Sequence, residues 1–312
     1  MSIDELALGP GREFDLVRDF LARWGPLARG VGGDCAVLDV PAGARLVVST
    51  DTSVEDVHFR RAWLSPREIG YRATAAALSD LAAAAAEPLG LLLALTLPAG
   101  WREGAGEIAE GVAEAARVAG APIVGGDTTT GAALSLTVTA LGAAARPLSR
   151  AAARPGDALW VTGALGGPAA ALRAWLAGDA PDATHRARFA RPVPRVAEAR
   201  WLAGQGATAA VDLSDGLAAD ARHLAAASRV RLDLDADAVP RLAGVELALA
   251  LAGGEEYELL VAAPASLDAA AFAARFGVPI TRVGGVVALA AGEPPGVHAR
   301  VDLPGGHDHL SP

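Results

Sequence analysis

The chain has 312 residues, of which 52% are hydrophobic and 20% are charged, and its formal net charge is −9. This composition allows a sizeable buried core and excludes a largely disordered chain. The negative charge excludes a general nucleic-acid binder, because a protein of that class presents a basic face to the phosphates.

Helix and strand patterns alternate along the first half of the sequence. Apolar spacing, proline at helix starts and glycine at helix ends set the predicted bounds. The predicted elements are a helix over 14–24, a strand over 45–50 ending before Asp51, a helix over 66–87, a strand over 89–97, a helix over 103–120, and strands over 122–124 and 134–141.

The same alternation continues in the second half, so the predicted class is α/β. The elements predicted there are strands over 158–162 and 207–213 and helices over 217–228 and 267–276. Between the halves, residues 142–157 are rich in Ala, Arg, Pro and Gly. Since the length suits two domains, we expect an N-terminal domain over 1–148 and a C-terminal domain over 149–312.

The sequence predicts neither a membrane span nor a disulfide. Its most apolar stretch, Leu89–Leu97, is far shorter than the roughly 20 residues that a membrane helix needs. Cys35 is the only cysteine, so no intramolecular disulfide can form. The N-terminus lacks the basic and apolar pattern of a signal peptide. We therefore expect a cytoplasmic protein without a membrane partner.

All 27 basic residues are arginine, and the sequence contains no lysine. This excludes sites built on a P-loop lysine, a protein-kinase strand lysine or a Schiff-base lysine. Arginine can still bind phosphate, because its planar guanidinium pairs with two phosphate oxygens.

Aspartates at expected loops and helix starts are the strongest chemical signal. They are Asp34, Asp51, Asp80, Asp127, Asp212 and Asp215, and most of them follow a small or hydroxyl residue next to an apolar segment. Magnesium prefers such oxygen ligands and is held by a few carboxylates together with substrate phosphates. The hydroxyls of Ser49 and Thr50 add oxygens beside Asp51. The shared pattern predicts a metal cluster.

Each aspartate also has an ordinary structural interpretation as a helix cap or turn residue. For Asp215, which precedes a glycine and a helix, capping and metal binding are equally compatible with the pattern. Asp80 differs, because it lies within an apolar helix where a carboxylate needs a partner.

Other candidates carry weaker signals. Two glycine-rich loops are expected over 125–129 and 163–167, and they could present backbone N–H groups to phosphate, although glycine pairs more often mark turns. Arg150 could place positive charge at a transferred phosphate, or it could be a solvated linker residue. His58 lies beside Phe59 and close to the Asp51 segment, where a packing role and a functional role are both open.

Taken together, the motifs resemble those of the thiamine-monophosphate kinases, which belong to the aminoimidazole ribonucleotide synthetase-like superfamily. The matching segments occur in the family's order: GGDCAVL, VVSTDTSVEDVHF, ALSDLAA, VGGDTTTG, RPGDALWVTGALG, RPVPR, VDLSDGLAAD and GGEEYEL. The resemblance implies two α/β domains, an N-terminal domain that mediates homodimerisation, and ATP-dependent phosphorylation of thiamine monophosphate with several Mg²⁺ ions. We expect direct in-line transfer, because a phosphate acceptor is already largely ionised near neutral pH.

The resemblance also implies roles for individual residues. Metal ligands would be Asp34, Ser49, Thr50, Asp51, Asp80, Asp127, Asp212 and Asp215. Nucleotide contacts would be Gly126, Asp127, Arg150 and Ser214, and substrate contacts would be His58, Glu255 and His307. Asp51, Asp127 and Arg150 would act most directly on the transferred group.

The sequence departs from the family pattern at three places. Gly33 stands where the family has a carboxylate, Glu256 replaces an aspartate, and His307 occupies the place of a stacking aromatic residue. The alternatives are therefore another ATP-dependent enzyme of the superfamily, or a non-catalytic sensor of thiamine phosphate or nucleotide.

Overall fold

A computed structural model describes residues 11–31 and 34–305 of the chain. The predicted substrate residue His307 and the unusual Gly33 lie outside the described residues. Within the described part, helices and β-sheets combine as the sequence predicted, and the α/β class is confirmed. Among the described helices, none is long and apolar enough to cross a membrane.

The chain divides into two compact units. The first takes residues up to Leu81 together with Ala86–Arg146, and the second takes Ala82–Ala85 together with the residues from Pro147 onward. This division falls within the segment that separates the two halves of the sequence.

The first unit is built on a four-stranded sheet. Its elements are α1 (Arg12–Trp24), β1 (Arg45–Val54), α2 (Pro66–Ala83), β2 (Glu87–Thr96), α3 (Ala105–Ala119), β3 (Ile123–Thr129) and β4 (Ser135–Ala144). The strand order is β1-β4-β2-β3, with β4 antiparallel to both of its neighbours and β3 parallel to β2.

The two faces of this sheet differ in burial. On the covered face the side chains of Leu91, Leu93 and Leu95 are buried. On the other face, which we call the open face, Leu46 and Val48 are 51% and 54% exposed. Because side chains alternate along a strand, every second residue of β1 faces the covered side.

Helices α2 and α3 touch through their backbones. A Cβ atom on Gly70 would lie 2.1 Å from the Ile108 carbonyl oxygen, and one on Gly111 would lie 1.9 Å from the Arg67 carbonyl oxygen. Both separations are far below any real contact, so only glycine allows the helices to approach this closely. Helix α2 is thereby held in a fixed position over the sheet.

The second unit is built on a six-stranded sheet. Its elements are β5 (Ala158–Thr162), α4 (Gly167–Ala177), α5 (Ala183–Ala190), α6 (Val196–Gly204), β6 (Ala209–Asp212), α7 (Leu217–Ser228), β7 (Arg231–Leu234), α8 (Leu247–Ala252), β8 (Leu259–Ala263), α9 (Ala269–Phe276), β9 (Ile280–Val287) and β10 (Gly296–Ala299). The strand order is β10-β7-β9-β5-β8-β6. Strands β5 and β8 are buried at every position, as expected for central strands covered on both faces.

The helix predicted over 66–87 is shorter than the sequence suggested. It ends at Ala83, and Ala85 takes a left-handed conformation with φ of 52°. The Ala86 N–H donates to the Leu81 carbonyl at 2.9 Å, which closes the helix end. Pro88 therefore lies inside β2 and does not terminate the helix.

Several predicted strands extend past their expected C-terminal ends, and β1 and β3 extend furthest. Strand β1 continues past Thr50 to Val54, and the hydroxyls of Thr52 and Thr137 lie 2.9 Å apart across the ladder. Strand β3 continues through Gly125–Thr129, so this segment is a strand and the predicted glycine loop is wrong. Each of the remaining predicted elements overlaps an observed one.

The close contact of α2 and α3 predicts that Gly111→Ala destabilises the protein by about 2 kcal/mol, because overpacking a tight contact outweighs the gain in helix propensity. Urea unfolding measures the change. The matched control is Gly204→Ala at the end of α6, where a Cβ atom meets nothing within 4 Å. Equal unfolding midpoints for the two variants would contradict the backbone contact.

Candidate functional site

Three of the predicted metal ligands lie on the covered face of the first unit. Ser49 and Asp51 are two residues apart on β1 and face the same side. The Ser49 hydroxyl donates to Oδ2 of Asp80, which α2 places above the strand. Asp51 and Asp80 are both partly buried. These oxygens suit a hard divalent cation.

Thr50 points away from this group. Its hydroxyl lies 3.1 Å from that of Thr139, on the open face of the sheet. The Thr50 hydroxyl therefore does not join the group of Ser49, Asp51 and Asp80.

Asp127 also lies apart from Asp51. Asp51 pairs with Val138, Val138 with Leu93, and Leu93 with Gly126, so three strand spacings, about 14 Å, separate Asp51 from Gly126. Asp127 is the next residue of β3 and is exposed. A Cβ atom on Gly126 would meet the Leu93 carbonyl oxygen at 1.9 Å, so glycine is needed here for strand pairing.

Asp34 lies exposed in the segment before β1.

His58 lies in the turn that follows β1. Its Nδ1 accepts the Val54 N–H at 3.1 Å, and its own backbone N–H donates to the Val54 carbonyl at 2.9 Å. These bonds fix the ring, and the neutral ring then carries its proton on Nε2.

A cavity of about 440 Å³ lies in the first unit, next to the end of β3. Arg12, Arg102 and the hydroxyl-bearing residues Thr128 and Thr129 contribute to its lining. The lining also includes the carboxylate of Glu13, so it offers positive, negative and hydroxyl groups to a polar ligand.

The second unit carries its own acidic group, in the turn between β6 and α7. Asp212 ends β6 and is buried, and Ser214 and Asp215 follow it partly buried. The turn thus presents two of the predicted metal ligands and one predicted nucleotide contact.

Asp220 belongs to the same group and was missed by the sequence prediction. Its Oδ2 accepts the N–H groups of Asp215 and Gly216, each at 3.1 Å, and its Oδ1 is buried with no hydrogen-bond partner among the described residues. Burial, followed by the charges of Asp215 and Asp212, raises the pKa of Asp220 to about 8. The charge of Arg150 acts in the opposite direction, which places Arg150 within electrostatic reach of the turn.

The segment 253–258 packs against this turn through backbone hydrogen bonds. The Glu255 N–H donates to the Ser214 carbonyl at 2.8 Å, and the Leu213 N–H donates to the Glu258 carbonyl at 2.8 Å. Glu255 has φ of 68° and Tyr257 has φ of 52°. Non-glycine residues adopt such angles only where the surroundings impose them, so the predicted substrate residue Glu255 is held in a constrained conformation.

A buried ion pair fixes the end of that segment. Arg195 donates to both carboxylate oxygens of Glu258, at 2.8 and 2.6 Å, and Thr162 and Arg188 each donate to the same carboxylate at 2.6 Å. Burial disfavours the charge of Glu258, but the charge and hydrogen bonds of Arg195 outweigh it and hold the pKa of Glu258 below its usual value.

Glu256 has a different environment from Glu258. Its Oε1 accepts the Gly166 N–H, and its Oε2 is buried without a hydrogen-bond partner in the described part of the chain. Burial raises the pKa of Glu256 to about 8, although the Gly166 N–H and the Arg188 charge partly offset this effect.

The glycine-rich segment 163–167 is occupied by the chain itself. The N–H groups of Gly163 and Leu165 donate to the carbonyls of Pro279 and Pro240, each at 2.9 Å, and Gly166 binds Glu256. These donors are therefore not available to cradle a phosphate as the sequence analysis suggested.

The missed residues did leave signals in the sequence. Asp220 lies in an apolar helix, like Asp80, and the same argument about an unpartnered carboxylate applies to it. Glu256 and Glu258 precede the buried run of β8, while Arg195 lies in the RPVPR motif. Their pairing required the fold, because Arg195 and Glu258 lie far apart in sequence.

Comparisons with known proteins agree with this architecture. The family model described as AIR synthase related protein, N-terminal domain, matches residues 32–144, and the model for the corresponding C-terminal domain matches residues 154–293. The chain is 39% identical over 281 residues to the thiamine-monophosphate kinase of Escherichia coli (strain K12), a match that covers 83% of this chain and 84% of that protein.

Two solved structures are similar over nearly the whole chain. One is thiamine-monophosphate kinase from Stenotrophomonas maltophilia K279a, with a TM-score of 0.82, 36% identity, and coverage of 93% of this chain and 96% of that chain. The other is described as AaThiL complexed with AMPPCP and TMP, with a TM-score of 0.76, 27% identity, and coverage of 95% and 96%.

The raised pKa of Glu256 predicts how stability depends on pH. Its pKa is higher in the folded state, about 8, than the ordinary 4.5 expected after unfolding, so the folded state holds the extra proton between these values. The free energy of unfolding therefore falls as pH rises from 4.5 to 8, by up to about 1.4 kcal/mol per pH unit for one group.

Glu256→Gln should reduce that fall by about 2 kcal/mol between pH 6 and 8, since glutamine keeps an acceptor for Gly166 without a charge. Urea unfolding at both pH values provides the measurement. Glu246→Gln, at a side chain that is 75% exposed, is the control. A wild-type slope in Glu256→Gln would show that Glu256 is not the cause.

Proposed function

The chain belongs to the thiamine-monophosphate kinase family, and we propose that it transfers the γ-phosphoryl group of ATP to thiamine monophosphate, giving thiamine diphosphate. The observation that carries this proposal is the clustering of buried and half-buried carboxylates in a lysine-free chain. Each unit has its own cluster, Ser49, Asp51 and Asp80 in the first and Asp212, Asp215 and Asp220 in the second.

We propose that several Mg²⁺ ions bind at these carboxylates. The donor atoms are hard oxygens, as Mg²⁺ requires. The buried Oδ1 of Asp220 has no hydrogen-bond partner among the described residues, and a cation would compensate its charge. When bound, Mg²⁺ would neutralise the negative charge of the transferring phosphates.

The remaining tasks fall to the protein. Arg150 supplies positive charge beside the Asp215 turn, and Ser214 would contact the nucleotide. His58, fixed by Val54, and Glu255, held in its constrained conformation, would contact the acceptor. We propose these roles because the family resemblance implies them for the same residues.

The proposed transfer is direct and in line. A phosphate acceptor has a second pKa of about 6 and is mostly ionised at neutral pH, so a strong general base is unnecessary. Catalysis would then rest on positioning and on charge stabilisation. The AaThiL structure described with AMPPCP, an ATP analogue, and TMP supports this pair of substrates.

The proposal also includes a homodimer formed through the first unit. The open face exposes Leu46 and Val48, and β1 pairs only with β4 among the described strands. An exposed apolar edge strand is normally covered or paired. A second copy of the chain would cover this face and bury those side chains.

The activity is tested with Mg-ATP and thiamine monophosphate, following thiamine diphosphate by chromatography. We expect product that disappears with EDTA, and Asp51→Asn should lower kcat by at least about 100-fold, because it removes a metal-binding charge. Asp179→Asn, the same change at an exposed residue, is the control. Near-normal turnover of Asp51→Asn at saturating Mg²⁺ would refute this role, and nucleotide binding without product would indicate another acceptor or a sensor.

The dimer is tested by light scattering on the chromatographed protein. Val48→Arg should convert a dimer to a monomer, because it places a charge in the middle of the open face. Val118→Arg changes a Val that is 56% exposed on α3, away from that face, and should leave the dimer intact. A monomeric wild type, or a dimeric Val48→Arg variant, would exclude this interface.

A further inference from the structure

We propose that Asp215, Asp220 and His223 form a cation subsite with mixed oxygen and nitrogen ligands, which binds a divalent transition metal more tightly than Mg²⁺. One ligand atom from each residue lies within 4.8 Å of the other two. The subsite adds a carboxylate and an imidazole to the metal site of the proposed function, but it does not depend on which group is transferred.

The first step of the argument is the position of Asp220. Its side chain is 1% exposed, and only Oδ2 is bound, by the N–H groups of Asp215 and Gly216. The buried Oδ1 has no hydrogen-bond partner among the described residues. A buried carboxylate oxygen in this state calls for a ligand, and a metal ion beside Asp215 would provide one.

The second step is the placement of His223. Residues three apart on a helix project from the same face, so α7 presents the ring of His223 beside the Asp220 carboxylate. A carboxylate and a histidine at this spacing recur as metal ligands in helical proteins. His223 is exposed, so its ring nitrogen can be reached from solvent.

The third step concerns the choice of metal. Carboxylates alone favour Mg²⁺ or Mn²⁺, whereas imidazole suits transition metals such as Zn²⁺. A site with two carboxylates and one imidazole accepts Mn²⁺ through its oxygens and discriminates against Mg²⁺ through its nitrogen. Zn²⁺ should then compete with Mn²⁺ at much lower concentration than Mg²⁺ does.

The test uses Mn²⁺ and the 312-residue chain, stripped of metal and without nucleotide. Titration followed by electron paramagnetic resonance gives the Mn²⁺ affinity, and pulsed measurements detect a directly bound ¹⁴N nucleus. We expect a ¹⁴N signal in the wild type that Zn²⁺ removes. His223→Ala should abolish the signal and weaken Mn²⁺ binding by about tenfold.

His298→Ala is the matched control, because His298 is a largely exposed histidine on β10, 4.0 Å from Glu293. It should keep both the signal and the affinity. A wild type that binds Mn²⁺ without a ¹⁴N signal overturns the proposal. A signal that persists in His223→Ala also overturns it, since the nitrogen would then belong to another histidine such as His58.

Asp220→Asn separates metal binding from a purely structural role. Asparagine keeps an acceptor for the Asp215 and Gly216 N–H groups but loses the charge, so we expect about tenfold weaker Mn²⁺ binding with the turn intact. Unchanged affinity would assign Asp220 to the turn alone and refute its role as a ligand. If this variant does not fold, His223→Ala decides, because that side chain lies at the surface.

The two experiments distinguish failure of the proposed kinase activity from failure of the proposed cation subsite. Loss of thiamine diphosphate formation in the wild type with the ¹⁴N signal present would reject the kinase proposal and leave the subsite standing. Product formation without the ¹⁴N signal would reject the subsite and leave the kinase proposal standing.

Discussion

The buried ion pair of Arg195 with Glu258 organises the second unit. Two hydrogen bonds from one guanidinium hold the carboxylate, and this geometry is more specific than a single point charge could provide. With the Glu258 side chain fixed, its backbone carbonyl accepts the Leu213 N–H. A second backbone hydrogen bond, from the Glu255 N–H to the Ser214 carbonyl, holds the next part of the turn. The acidic turn after β6 is thus connected to this ion pair through backbone hydrogen bonds.

The acidic turn is electrostatically unfavourable when its carboxylates are ionised, so it needs these hydrogen bonds to hold it in place. Asp212, Asp215 and Asp220 repel one another, and burial increases the penalty by removing water. The raised pKa of Asp220 reflects this penalty, because its charged form is disfavoured and a bound cation would offset the repulsion. Glu256 is another buried carboxyl group of this unit, and burial raises its pKa to about 8 as well.

Local patterns predicted most helices and strands, because apolar spacing and glycine or proline boundaries act over a few residues. They failed where distant parts of the chain decided the outcome. Pro88 was expected to end a helix, but pairing of β2 with β4 placed it in a strand. Gly125 and Gly126 looked like a loop, yet Gly126 serves the close pairing with Leu93.

For the site, the sequence indicated which residue types matter but not which of them meet. The faces of β1 separate Thr50 from Ser49 and Asp51, a distinction that depends on where the strand lies in the sheet. Asp220 could have been recognised from its apolar helix. The partnership of Arg195 with Glu258 could not, because nothing local connects them.

The backbone contact between α2 and α3 bears on how the first unit can move. At Gly70 and Gly111 the two helices touch without intervening side chains, so no side-chain rotation can absorb a displacement between them. Asp80 lies on α2, and its carboxylate accepts a hydrogen bond from the Ser49 hydroxyl. A displacement of the α2 backbone at Asp80 would therefore have to carry α3 with it, so the two helices should respond to a bound ligand as one rigid body.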